Sequence, residues 1–215
     1  MKITYIHHSS FLVETEENYF LFDYFEGELP EFKEDKPLLV FASHRHGDHF
    51  SPVIFELAGK HKKTGFVLSD DIWKRRVPEE LMGKTYFIGP EEELDLQAPF
   101  TGPSGVKVHG FKSTDEGVAF LIETEGKRIY HAGDLNNWVW EGEPEADNKR
   151  MSQRFHQELE KLRGIRRKKT FFDTFRWISQ AVKPVFSVAK ESPFLPLGKY
   201  TADMLLYRSR QYLYA

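Results

Sequence analysis

The stretch SHRHGDHF, residues 43–50, crowds three of the chain's nine histidines and an aspartate into six positions: His44, His46, Asp48 and His49. Neutral imidazole and carboxylate are good ligands for zinc, iron or manganese. The chain has no cysteine, so any metal must sit on nitrogen and oxygen. As a mere surface turn, H-x-H-x-D-H would arise in about one sequence in a thousand. Gly47 lets the backbone bend between the two pairs. On a loop, His44 and His46 can point into one pocket, and Asp48 and His49 can reach it from the other side.

Such a loop needs a rigid frame. PLLVFAS (37–43) is a short, continuous apolar run, as expected of a strand buried on both faces. Ser51-Pro52 then offers a helix cap and a first-turn proline before the helical spacing of VIFELAGKHKK. The cluster thus sits between a strand end and a helix start, a sheet edge where ligands bind. ITYIHHSSFLVET and NYFLFDYF read as a strand hairpin, and GFVLSD, TYFIG, ELDL and VKVHGF as further strands. DIWKRRVPEELMG reads as a helix broken at Pro78. VAFLIET–EG–KRIYHAGD (118–134) is the clearest hairpin, turning at Glu125-Gly126. The acidic stretch 141–150 reads as a loop, and RMSQRFHQELEKLRG as a helix. This order of elements suits a layered α/β protein with a mixed sheet.

On these residues the chain resembles the metallo-β-lactamase fold superfamily of metal-dependent hydrolases. H-R-H-G-D-H at 44–49 is its main metal motif. The likeness extends to IHHSSFLVET…FLFD and to IYHAGDLN at 129–136, and is greatest to the branch that includes ascorbate phosphate lactonase. It covers roughly residues 1–160. The resemblance implies an αββα sandwich with one or two Zn2+ ions, or Mn2+ or Fe2+, in a cleft at the sheet edges. It implies His44 and His46 on one metal, Asp48 and His49 on the other, and Asp134 as the bridge. Asp48 and Asp134 are the implied catalytic carboxylates, with Asp48 passing a proton to the leaving group. The implied reaction is attack of a metal-activated hydroxide on an ester, lactone, amide or phosphodiester of a small molecule.

Several positions depart from that pattern or stay open. The third ligand of the first metal is open, with His109 and Asp115 as candidates, while His109 reads otherwise as a strand-face histidine bonding locally. His131 is expected to orient a neighbour, and Asp23 to be structural. His7 and His8 end the first strand, where they read as structural histidines unless one of them faces the cleft. His61 and His156 are expected on solvated helix surfaces. Trp138 and Trp140 could line a substrate pocket or pack in the core.

The C-terminal third differs in character. Residues 165–215 carry ten Lys/Arg against three Asp/Glu, leaving 20 basic and 30 acidic residues in 1–164. No histidine follows His156, so the last ligand of the pattern is missing. The segment 165–197 has no clear amphipathic period. It reads either as a shifted frame restored near Gly198, as natural divergence, or as a basic arm. One domain over 1–215 with an atypical segment at 165–197, C-terminally incomplete as a sandwich, is the expected organisation. Two other functions compete with hydrolysis: a degenerate relative with little activity, and a nuclease or RNA-processing relative. No RNA-binding module supports the latter, so a small-molecule substrate is the expected partner rather than nucleic acid. The sequence shows neither a transmembrane run nor a signal-peptide pattern, and a cytoplasmic site is expected.

Overall fold

The computed structural model describes residues 1–167 and 174–178. Two sheets are formed. The first holds β1 (Lys2–His7), β2 (Ser10–Glu14), β3 (Tyr19–Phe22), β4 (Leu38–Ala42), β5 (Thr64–Ser69) and β6 (Thr85–Ile88), in that order. Its first three strands are antiparallel, whereas β3 to β6 run parallel. The second holds β7 (Glu93–Leu96), β8 (Val106–Lys112), β9 (Val118–Thr124) and β10 (Lys127–His131), with β11 (Thr174–Ile178) parallel to β10 at its edge. Helix α1 (Leu57–Lys60), continuing a 3-10 turn at Pro52–Glu56, lies on one side, and α2 (Glu145–Arg167) on the other.

The side-chain period of two sorts each strand between layers. Phe20, Phe22, Leu39 and Phe41 meet Val108, Phe120, Ile122 and Ile129 between the sheets. Their neighbours Tyr19, Leu21, Leu38 and Val40 point the other way, onto Ile54, Phe55 and Leu57. Ala119, Leu121 and Tyr130 face outward to Phe155, Leu159 and Leu162 of α2. Those three helix positions are four and three residues apart, the apolar stripe of one helix face. Burial of each such large side chain contributes about 1.5–3 kcal/mol, so three stacked layers hold the αββα arrangement.

Some local expectations are corrected. ITYIHHSSFLVET is two paired strands, not one, with the turn at His8-Ser9 and a register shift between Tyr5 and His7. DIWKRRVPEELMG gives two 3-10 helices, Lys74–Arg76 and Glu79–Lys84, because Pro78 lacks an N–H and holds Val77 extended. Helix α2 starts at Glu145, inside the stretch read as a loop, where Glu145 and Asp147 complement its N-terminal dipole. His61 is buried, with Nε2 3.2 Å from the Lys33 carbonyl, while His156 is exposed as expected. The hairpin turn at Glu125-Gly126 forms as read, both residues at positive φ. Among the described residues no helix is long and apolar enough to cross a membrane. The whole-chain domain expectation reaches beyond the described residues, as does most of 165–197.

Candidate metal centre

All the loops that carry the candidate ligands leave the same end of the sandwich. His44 to His49 follow β4, Asp134 follows β10, Asp115 lies between β8 and β9, and His8 lies between β1 and β2. The parallel run of β3 and β4 sets Asp23 beside Ser43, each just past its strand.

Ser43 and Asp23 form the support. The Ser43 backbone N–H donates to Asp23 Oδ1 at 2.7 Å and its hydroxyl to Oδ2 at 2.8 Å. Oδ2 also accepts from His49 Nδ1 at 2.8 Å and from His131 Nε2 at 2.6 Å. Asp23 is fully buried and sits at positive φ, which an aspartate tolerates better than most residues. Burial alone would raise its pKa, but the His131 and His49 rings hold its carboxyl far below the usual range. It is therefore an anion that fixes two imidazoles. Burial would lower His49, yet the Asp23 carboxylate raises it to about 9.

These bonds settle which nitrogens face the cleft. With its proton on Asp23, the Ser43 hydroxyl can only accept from His44 Nδ1, 3.0 Å away. His44 and His49 are then both protonated at Nδ1 and turn Nε2 to the cleft. His49 Nε2 is buried, has no hydrogen-bond partner, and lies 3.3 Å from Asp134 Oδ1 and 3.6 Å from Asp48 Oδ2. His44 Nε2 lies 3.0 Å from His46 Nδ1 and 3.9 Å from Asp134 Oδ2. His46 Nδ1 in turn is 3.6 Å from Asp115 Oδ2. Burial raises the Asp134 carboxyl and lowers His44.

Two glycines let the loops close on this support. A Cβ on Gly133 would stand 2.7 Å from the Ser43 side chain, and one on Gly117 would stand 2.1 Å from the Ser43 carbonyl. Both residues have positive φ. Gly133 thereby brings the adjacent Asp134 up to the histidines.

His44, His46, Asp48, His49 and Asp134, expected at one centre, do converge. Three overlapping donor groups result: His44, His46 and Asp115; His44, His49 and Asp134; His8, Asp48 and His49. Within each, the ligand atoms lie within 4.8 Å of one another. His109 takes the local strand-face role: it sits within β8, 2.9 Å from Glu93, and joins none of these groups. His131 does orient a neighbour, through Asp23. Trp138 donates its indole N–H to the Asp134 carbonyl at 3.2 Å and stacks on the exposed Trp140, 5.9 Å between ring centres. The sequence reading missed Ser43, though it stands first in the quoted motif. Its hydroxyl beside two imidazoles was the available signal.

The donor chemistry fits a transition metal. Two nitrogens and one oxygen in each group match zinc, iron or manganese preferences, and the buried His49 Nε2 makes no hydrogen bond, which a metal bond would replace.

Comparison with known proteins agrees. The chain is 31% identical over 147 residues to a UPF0173 metal-dependent hydrolase of Alkaliphilus metalliredigens (strain QYMF), covering 62% of this chain and 63% of that one. It is 32% identical over 142 residues to a UPF0173 metal-dependent hydrolase of Desulforamulus reducens (strain ATCC BAA-1160 / DSM 100696 / MI-1), covering 62% of each. The chain therefore spans under two thirds of the length of these relatives. A solved metallo-β-lactamase from Staphylococcus aureus subsp. aureus COL aligns with TM-score 0.42 and 15% identity, over 75% of this chain and 51% of that one. Residues 2–148 match the model of the beta-lactamase superfamily domain. With two packed sheets flanked by helices and that match over most of its length, the chain belongs to the β-lactamase superfamily.

Proposed function

We propose that the protein is a metal-dependent hydrolase acting on an ester, lactone, amide or phosphodiester of a small molecule. The observation that carries this is the convergence of the buried His49 Nε2, which makes no hydrogen bond, on the Asp134 and Asp48 carboxylates. Both curated relatives are named metal-dependent hydrolases. Zn2+ is the favoured ion, since the donors are imidazole and carboxylate without sulfur and hydrolysis needs no redox change.

His44, His46 and Asp115 would hold one ion, and Asp134 would reach the space between the two halves of the centre. A bound ion would supply Lewis acidity, polarising the scissile group and acidifying water. The chain's own residues do the rest. Asp23 and Ser43 keep His44 and His49 in one tautomer and orientation. The half-exposed Asp48 is read as the residue that passes a proton to the leaving group. Trp138 and Trp140 give an apolar surface beside Asp134 for the substrate body. We take the cytoplasm as its location. The competing nuclease reading rests on the basic segment 165–197, most of which is outside the described residues.

The test is metal analysis together with a hydrolysis panel. Dialysed wild type is expected to retain a substantial fraction of an equivalent of metal, and His46→Ala to lose most of it. Asp134→Ala is expected to abolish turnover of any lactone, phosphodiester or thioester that wild type cleaves. Trace metal in both proteins, or an Asp134→Ala variant as active as wild type, defeats the assignment.

A further inference from the structure

We propose that His8 is a metal ligand, which with Asp48 and His49 forms a second ion position in the cleft; this rests on the metal-centre reading above. His8 Nε2 stands 3.1 Å from Asp48 Oδ2, and the donor atoms of His8, Asp48 and His49 all lie within 4.8 Å of one another. The group offers two imidazole nitrogens and one carboxylate, the same kind of donor set as His44, His46 and Asp115. The central group of His44, His49 and Asp134 shares a residue with each. Donor groups that share residues in this way can hold two neighbouring ions.

The backbone at His8 adds a separate argument. His8 sits at φ +48, a conformation a histidine adopts only at some cost, and next to the register shift between Tyr5 and His7. The two adjacent histidines go to different places as a result. His7 meets Glu26 at 2.7 Å, while His8 meets Asp48. Ser9 then fastens the same turn to the same residue, its hydroxyl donating to the Asp48 carbonyl at 3.1 Å. A two-residue hairpin turn takes positive φ in any case, and here it carries His8 to Asp48 and is tied to that candidate ligand by two consecutive residues. Among the described residues, His8 is the imidazole that groups with Asp48 and His49 on this side of the cleft.

The experiment titrates the full chain, stripped by a chelator, with zinc against a chromophoric competitor, and with cobalt(II) followed by its visible absorption. Wild type is expected to take up two equivalents. His8→Ala is expected to keep the tighter ion and bind the other at least about tenfold more weakly, a ligand counting for no less than an outer-shell partner. His7→Ala should match wild type. His8→Gly removes both the ring and the unfavourable φ, so it should show the same weakening with a metal-free unfolding midpoint at or above wild type. Loss of metal there cannot be loss of fold. Two equivalents bound by His8→Ala with wild-type affinity overturn the His8 assignment and leave the metal centre standing. A single equivalent in wild type, unchanged in His8→Ala, overturns it likewise. No uptake by wild type defeats both readings.

Discussion

His131 and His49, 82 positions apart in the chain, donate to the same oxygen of one buried carboxylate, Asp23 Oδ2, at 2.6 and 2.8 Å. One ring comes from the end of β10 in the second sheet and the other from the loop after β4 in the first. The carboxylate that joins them belongs to neither. It makes the relative position of the two sheet edges part of the centre's geometry.

Asp23→Asn should show how much that joint matters. An amide offers one acceptor oxygen where the carboxylate offers two, and its NH2 must face a donor. Metal affinity is expected to fall about 10–100-fold, the usual effect of an outer-shell carboxylate. The unfolding midpoint should fall as well, with a loss of about 3–5 kcal/mol from breaking a buried charged network. Metal titration and thermal unfolding check both, and wild-type values in each would remove Asp23 from the support.

Glycine-to-alanine substitutions separate steric from conformational cost. At Gly126, φ is +64 and a Cβ would meet nothing within 4 Å, so only the left-handed penalty of about 1–2 kcal/mol applies. At Gly117 the φ is +63, but the Cβ would also stand 2.1 Å from the Ser43 carbonyl. Gly117→Ala is expected to cost at least about 2 kcal/mol more than Gly126→Ala and to lower metal affinity, because Ser43 must move. Equal denaturation midpoints for the two variants would contradict the close approach.

Glu125 makes stability depend on acidity at the far end of the sandwich. Its carboxylate accepts from the Thr15 hydroxyl, the Glu16 and Glu17 backbone N–H groups and the Asn18 amide. Burial pushes its pKa up, but these bonds outweigh burial and hold it below the usual value. A lowered folded-state pKa means stabilisation that is complete above the unfolded value of about 4.3 and lost as pH falls through the folded one. Glu125→Gln should therefore be less stable than wild type by about 1.5–3 kcal/mol at neutral pH. The gap should close on acidification. A gap that stays constant between pH 7 and pH 3 would mean the charge plays no part.

Helix α2 offers a plain packing test. Phe155 is buried against the outer face of the second sheet, and Phe155→Ala is expected to cost about 3–5 kcal/mol by chemical denaturation. His156→Ala, one position on and exposed, should change stability by less than about 0.5 kcal/mol.

What could be read in the sequence was local or periodic. The alternation of Phe20 and Phe22 with Tyr19 and Leu21, the turn at Glu125-Gly126 and the run LLVFA each announce their element within a few residues. The five candidate ligands stood in two short motifs. The residues that hold them were less visible. Asp23 reaches His131 across 108 positions, Glu125 reaches Thr15 across 110, and no spacing rule spans such distances. His109 looked like a ligand by type, but its place within β8 turns it to Glu93 of the neighbouring strand. His61 looked solvated because its helix was expected to run on, yet α1 stops at Lys60 and His61 folds under as its cap. The 3-10 helices on either side of Pro78, three and six residues long, defeat a reading based on a 3.6-residue period.

The Glu125 clamp and the histidine cleft sit at opposite ends of the same two sheets, and that separation divides the molecule's freedom to change. One end is riveted by hydrogen bonds between the β2–β3 turn and the β9–β10 turn. The loops at the other end need only meet their donors once the sheets are already aligned. Loop lengths, aromatic residues and charges around the cleft can therefore drift toward new substrates without loosening the joint that keeps the sheets in register. A chemistry that varies on a frame that does not is the expected history of such a sandwich.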